Sequence, residues 1–511
     1  MTSATTTARW LVLAIGAIAL LPLTGCQQRN ARAKEPVAKE LKAEAASKDP
    51  ATATPATAVK VSVTLPGETI TFNKHVAAIL NKNCAECHRP NQVAPFSLLS
   101  YDDANKRAEF IRDITHERRM PPYHADPDFG GFTNVRMLTE TELAIIDKWV
   151  KTGMTEGAKE DLPPTPTFNE GWKFGEPDLI LKMSDVFNIP AQSRDIYQCF
   201  VIPTGVAENK NIAAVEFRPG NRRVVHHAIL YLDDSGTGRT KDAATPEQGY
   251  RSYGGIGFLP SGGLGGWAPG VEARMLPDGY ARFMKGNSDL CMQVHYHPSG
   301  KPETDQSEVG IYYAKTKPKH MISGIALFNH KINIAPGDAN YRMEEEVTLP
   351  CDVRALAIWP HMHLLGREMK VVATTPDNQE IPLLWVKDWD FNWQDGYEYK
   401  NPPMLPKGSK LKMTARYDNS KDNPVNPNSP PKRVTFGEGT NDEMCLCTLI
   451  VYPEEPGDMR KLFTIKHARL GAALGGGALP ELSMNDRWMT ILYNLRNKQR
   501  EEELKKKEQQ K

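Results

Sequence analysis

Ala355-Leu356-Ala357-Ile358-Trp359-Pro360-His361-Met362-His363 is a short apolar run that ends in two histidines one residue apart. Side chains two apart on a strand share a face, so His361 and His363 present both imidazoles to one side, a chelating arrangement. Similar short runs recur at 224–232, 290–296, 310–313, 369–373 and 446–452, separated by clusters of Gly, Pro, Asn and Asp. That punctuation is the pattern of β-sandwiches and predicts an all-β architecture beyond residue 160.

The region before it reads differently. Residues 70–157 carry helical spacing, with an amphipathic turn before Cys84 and Leu143, Ile146 and Trp149 aligned at its end. A proline-rich stretch at 162–166 separates the two regions. Within the helical part, Cys84-Ala85-Glu86-Cys87-His88 has the spacing that attaches c-type haem. Two thiols bond the porphyrin and the adjacent imidazole ligates the iron. A zinc half-site would call for a second CxxC, and thioredoxin-like dithiols lack the following His. The segment resembles cytochrome c domains in its build. Met120, before Pro121-Pro122, is the expected sixth ligand, with His116 and His124 as rivals, Met137 as a weaker one, and a five-coordinate iron as a further reading.

At the N-terminus, Arg9 precedes an apolar stretch at 10–21 and then Leu23-Thr24-Gly25-Cys26. The stretch is too short to span a bilayer. It resembles a bacterial lipoprotein signal, so Cys26 is expected to carry lipid and to anchor the protein to a membrane facing the periplasm or cell surface. The following 26–66 segment is rich in Ala, Lys, Glu, Thr and Pro and reads as a flexible tether. Lys+Arg 63 against Asp+Glu 62 leaves a net charge of +1, which excludes a general nucleic-acid-binding field. Of eight cysteines, Cys26, Cys84 and Cys87 are assigned; an odd number remains for an oxidising compartment.

Three histidine clusters occur among 13 histidines: His226-His227, His295-Tyr296-His297 and His361-Met362-His363. Adjacent histidines point to opposite faces of a regular strand, so His226 and His227 could share a metal only at a strand end or bulge. His297 satisfies the same one-face rule as His295. Imidazole suits copper, zinc or iron, and spacing alone does not choose.

Val225-His226-His227, Gln293-Val294-His295-Tyr296, His361-Met362-His363-Leu364-Leu365-Gly366 and Asp442-Glu443-Met444-Cys445 resemble, in order and interval, the motifs of the copper type II, ascorbate-dependent monooxygenases. This is the peptidylglycine α-hydroxylating and dopamine β-monooxygenase class. The resemblance spans about residues 188–453 and implies two jelly-roll-like β-domains separated by a wide solvent-filled cleft. By position, His226, His227 and His295 would hold the electron-transfer copper, and His361, His363 and Met444 the copper that meets oxygen and substrate. A soft thioether favouring Cu(I) accords with that division. The peptide-processing members clamp a substrate carboxylate with an Arg where this chain has Trp359, and use an Asn where it has Leu446. An apolar pair cannot make that clamp, so a non-peptide substrate is expected. The family's disulfide to the Cys after the ligand Met would need a partner near Tyr417, which is absent. Cys445 with Cys351, or Cys447 in that role, and Cys199 with Cys291 are the expected bridges.

The expected organisation is a signal peptide (1–25), tether (26–66), small all-α cytochrome c domain (67–160), two copper β-domains (161–335 and 336–458) and a charged C-terminal extension (459–511). The expected function is hydroxylation of a C–H bond of a small molecule with O2. Two coppers and one covalent haem c would serve it. A periplasmic cytochrome or ascorbate-like donor would reduce the haem, and the haem would reduce the copper on His226, His227 and His295. A tether raises the effective concentration of such a donor domain to roughly millimolar. The alternative is a non-catalytic copper and haem electron-transfer or metal-sensing protein.

Overall fold

The computed structural model describes residues 67–462 apart from 68, 91, 93, 169–170, 192–194, 254, 270 and 438. The expected signal, tether, Cys26 and charged tail lie outside the described residues. Most of the regular secondary structure in the described residues is β-strand, with a few short helices, mainly near their start. Among the described residues no helix is long and apolar enough to cross a membrane.

The helical part is built around Phe72–Val76, Ala77–Asn83, Ala108–His116 and Glu140–Lys151. The last of these starts on a capping box: Thr139 accepts from the Glu142 amide while the Glu142 carboxylate accepts from the Thr139 amide. Leu143, Ile146, Trp149 and Val150 recur at helical spacing on its buried face. They pack on Ile70, Phe72, Val76, Leu80 and Ile111, and the Trp149 indole N–H donates to the Thr155 carbonyl at 3.1 Å.

Two β-sandwiches follow. In the first, a sheet of Tyr250–Arg251, Ile196–Pro203, Asp289–Tyr296, Val225–Asp233 and Gly262–Trp267 faces one centred on Glu308–Tyr313 and Lys210–Arg218. Phe200, Phe217, Leu230, Met292 and Val309 fill the space between them. In the second, Ser323–Phe328, Leu446–Pro453 and Val353–His361 form one sheet, and Tyr341–Thr348, Lys410–Tyr417, Gly366–Thr374 and Glu380–Val386 the other. Ser323–Phe328 pairs along its length with Leu446–Pro453. Ser323–Phe328, ahead of the expected 336 boundary, therefore already belongs to the later sheet.

Residues 123–137 also depart from expectation. They lie inside the span read as cytochrome c, yet Tyr123, Ala125 and Phe132 are buried in the core of the second sandwich. Ala125 bridges Val386 and Phe132 bridges Tyr399. The Asp126 amide donates to the Trp385 carbonyl at 2.7 Å and the Thr133 amide to the Glu398 carbonyl at 2.8 Å. This strap leaves the helical core after Met120 and returns to it at Leu138.

None of the seven described cysteines is bridged. Cys199 pairs with Gln293 and Cys291 with Val201 across their strands. That makes the two cysteines diagonal neighbours, at the roughly 7–8 Å typical of that relation, which exceeds the usual disulfide span. Cys351 lies by Asp458 and Lys461, whereas Cys445 lies by Tyr417 and Glu345. The expected bridges are absent because strand register, not sequence order, places these thiols.

Phe132→Ala removes a buried ring that touches both Tyr397 and Tyr399. It should cost about 3–5 kcal/mol in urea unfolding and expose residues 123–137 to limited proteolysis.

Candidate metal and redox centres

His226 and His227 stand at the start of Val225–Asp233. Pairing with Asp289–Tyr296 runs Val225 to Tyr296 and then His227 to His295, so His226 is an extra residue on its strand. Such a bulge turns consecutive side chains toward one point. The result is a cluster in which ring nitrogens of His226, His227 and His295 all lie within 4.8 Å of one another. The Nδ1 atoms of His226 and His227 are 3.3 Å apart.

Burial, followed by the neighbouring His295, lowers the pKa of His226 to about 4. Burial sets His227 well below its ordinary value as well. Neutral rings offer lone pairs, which a cation needs and a proton would block. His295 is almost fully enclosed, and neither of its ring nitrogens has a hydrogen-bond partner. A buried orphan nitrogen in a cluster of imidazoles fits a metal ion. Its Nε2 is 3.2 Å from the Asp195 carboxylate. Asp195 also holds His297 Nδ1 at 2.9 Å and the Thr440 hydroxyl at 2.9 Å. Burial would raise Asp195, but His295, Thr440 and His297 together hold it well below the usual carboxylate range. His297 itself is exposed and engaged with Asp195, outside the cluster.

The second cluster forms where Val353–His361 ends. The His361 and His363 rings are 5.1 Å apart and nearly perpendicular. Each has one nitrogen fixed: His361 Nδ1 on Gln394 Oε1, and His363 Nδ1 on the Asp442 carbonyl at 3.1 Å. That leaves Nε2 of both for a ligand. Burial, and then His361, lowers the pKa of His363 to about 3. Met444 arrives beside them through Glu443, whose buried carboxylate accepts the amides of His363, Leu365 (3.0 Å) and Met444 (2.9 Å). Two imidazoles and a thioether fit a soft metal such as Cu(I). Trp359 and Leu446 flank His361, one on its own strand face and one directly across the ladder.

The two clusters are close. The Phe391 ring stacks on His226 at 5.4 Å and meets His363 edge-on at 5.7 Å. Tyr253 donates to Asp442 at 2.8 Å and Asp195 reaches Thr440, so the first sandwich grips the loop before Met444. The wide cleft implied by the resemblance is thus spanned here by side chains. Among the aromatics of 385–393, Phe391 and Trp389 touch the site; the Trp389 N–H donates to the His363 carbonyl at 3.1 Å. Trp385 instead packs on Phe129 and donates to Glu368.

Residues 321–461 match the C-terminal domain model of the copper type II ascorbate-dependent monooxygenases. The match falls on the sandwich that carries His361, His363 and Met444. Over 300 residues the chain is 26% identical to the human DBH-like monooxygenase protein 1, covering 52% of this chain and 46% of that protein. The chicken protein of the same description is 24% identical over 298 residues, with the same coverage. The chain therefore spans about half the length of these curated relatives. Among solved structures, the major capsid protein P2 of bacteriophage PM2 aligns with 54% of this chain and 97% of its own at 8% identity and a TM-score of 0.23, too low to carry an argument. The family match covers the second sandwich, residues 321–461.

In the helical part Cys84 caps the helix Ala77–Asn83, and the His88 amide closes onto the Cys84 carbonyl at 2.9 Å. Burial, then Cys87, pushes the Cys84 thiol up to about 12, and burial raises Cys87 too. A dithiol redox pair needs the opposite shift. The His88 Nδ1–H faces the Phe96 carbonyl at 3.1 Å, which leaves Nε2 for an axial bond. Arg222, exposed beside Arg218 and Arg89, is lowered first by desolvation and then by those two cations. Unreactive thiols, an oriented imidazole and surplus positive charge fit an anionic porphyrin attached at Cys84 and Cys87. His116, the last residue of Ala108–His116, and Met120, just beyond it, are both exposed. His124 faces the Asp388 backbone, and Met137 packs on the second sandwich.

Sequence reasoning missed Asp195, Gln394 and Glu443, which hold ligand atoms from far along the chain. Glu443→Gln keeps one acceptor oxygen, for the His363 and Met444 amides that share Oε1, whereas Glu443→Ala orphans these and the Leu365 amide together. The alanine variant should lose about 2–4 kcal/mol more in chemical denaturation and should lower copper affinity at the Met444 site in competitive titration.

Proposed function

We propose that this protein is a copper-dependent monooxygenase that hydroxylates a C–H bond of a small non-peptide molecule, drawing its electrons through a c-type haem carried on the same chain. The observation that carries the reading is the convergence of three imidazoles, His226, His227 and His295, close to the His361 and His363 pair, within a chain that matches a copper monooxygenase domain. The reaction balances as R–H + O2 + 2 electrons + 2 protons giving R–OH and water. Bound copper would supply the one-electron steps and the activation of O2.

This chain's own residues do the positioning. The bulge at His226 and the Asp195 carboxylate set the three-imidazole site. Gln394, the Asp442 carbonyl and Glu443 set the His361, His363 and Met444 site. Trp359 and Leu446 beside His361 offer an apolar wall and no bidentate partner for a carboxylate, which favours a substrate recognised by shape and hydrophobic contact. Cys84, Cys87 and His88 would hold the haem, with Met120 the proposed sixth ligand. Its donor would be a periplasmic cytochrome or an ascorbate-like reductant. A lipid on Cys26 would keep the protein on a bacterial membrane, facing the periplasm or cell surface.

Metal analysis, a haemochrome spectrum and oxygen uptake test this together. The reading expects two coppers and one haem per chain and substrate-dependent oxygen consumption with a reductant. Full metal loading without oxygen uptake against a broad substrate panel would favour the non-catalytic electron carrier instead. His88→Ala should abolish turnover driven by a cytochrome donor, and excess ascorbate should restore it.

A further inference from the structure

Strand pairing lays out one face of the second sandwich row by row. Phe328 lies opposite Leu446 and Leu446 opposite His361. Two residues further along, Ala326, Thr448 and Trp359 make the next row, and Gly324, Ile450 and Ala357 the third. Residues directly opposed on neighbouring strands share a face. The alternate residues, Ile325, Leu327, Cys447 and Leu449, fill the core beneath. Phe328, Leu446, Thr448, Ile450 and Trp359 instead are half-buried and join neither sandwich core.

Aromatic side chains bound this face. Trp359 packs so closely on Gly396 that a Cβ there would come 2.5 Å from its ring. Asn134, on the strap, steadies that contact by donating to the Gly396 carbonyl at 2.9 Å. On the opposite side Phe328 meets the exposed Phe436 edge-on at 5.4 Å. Tyr452, the next residue on this face of Leu446–Pro453, packs on Tyr280 at 5.1 Å and His320 at 4.4 Å, both from the first sandwich. The face is thus stopped at Tyr452 and runs without a break to His361.

Its chemistry is uniform. The three rows carry no carboxylate, lysine or arginine, and His361 is their one titratable residue. The nearest ion pair, Arg354 with Glu454, lies beyond Tyr452 and is satisfied within itself. A charged group placed here would lose its hydration and find no opposite charge. An apolar face left outside both cores and continuous with a donor cluster marks a ligand surface. From the first row to the third is four residues of strand, about 13 Å, the length of an extended chain of roughly ten carbons.

We propose that this face receives the substrate, and that the substrate is an elongated, uncharged apolar molecule lying along Leu446, Thr448 and Ile450 with one end at His361. The inference rests on the copper monooxygenase reading above and narrows it to a substrate class. A compact molecule would cover the first row alone and leave Thr448 and Ile450 in water.

The test uses the full-length, copper-loaded protein and unbranched 1-alkanols from butanol to dodecanol, with affinity read by isothermal titration calorimetry. The dissociation constant should fall about two- to fourfold for each added methylene and level off at about ten carbons. Ala326→Phe places a ring across the second row. Its affinities should level off at about five carbons, so that decanol binds at least tenfold more weakly while butanol is unchanged. Thr448→Trp obstructs the same row from the central strand and should give the same result if the phenylalanine variant does not fold. Copper content should be unaltered in both. Affinity that ignores chain length, or that rises identically in the unaltered protein and a folded variant, overturns the surface whatever the copper does. Oxygen uptake with decanol and ascorbate, lowered in Ala326→Phe, supports the surface as the substrate site. Length-dependent binding with no oxygen uptake at any chain length overturns the monooxygenase reading instead and with it the role of substrate site.

Discussion

The buried carboxyl of Glu443 is the interaction on which the second site depends. It gathers the amides of His363, Leu365 and Met444 on one residue, with Gly366 also contributing. The chain end after Val353–His361 is thereby tied to the loop that brings in Met444, from opposite ends of the sandwich's sequence. Burial pushes this carboxyl up to about 8, against backbone donors that hold it down. A fully enclosed acid costs free energy unless its bonds are complete, and here they also set the spacing of a ligand pair and a thioether.

The same logic recurs at the first site with different parts. A bulge, rather than a carboxylate, aims His226 and His227 at one point, and Asp195 steadies His295 from outside the cluster. Asp195 then reaches Thr440, and Tyr253 reaches Asp442, both just before Glu443. The elements that orient one donor set thus press on the loop that supplies the other. With Phe391 between His226 and His363, the two clusters share a wall of side chains.

Much of this was legible in the sequence because it is local. The His361-Met362-His363 spacing pointed to neighbouring imidazoles, which are met 5.1 Å apart although the strand Val353–His361 ends at the first of them, and the His226-His227 pair demanded the bulge that the ladder shows. Helical spacing located Glu140–Lys151, and the Gly, Pro and Asn punctuation located the β-rich half. What was not legible depends on distant pairing. Nothing in residues 123–137 announces that Phe132 will be buried against Tyr397 and Tyr399, more than two hundred residues on. Gln394 and Asp195 carry no periodic signal and acquire meaning only when strands bring them to an imidazole. The expected disulfides failed for the same reason: register set Cys199 opposite Gln293 rather than Cys291.

The central claim is that His361, His363 and Met444 bind one copper while three imidazoles bind another. X-ray absorption at the copper edge of the dithionite-reduced, copper-loaded protein tests it most directly. The account predicts imidazole nitrogen scattering together with a sulfur shell at about the distance of soft-metal thioether bonds, and predicts that this sulfur shell vanishes in Met444→Ala while the nitrogen shell persists. A reduced protein with no sulfur shell, or one whose sulfur shell survives Met444→Ala, would contradict it.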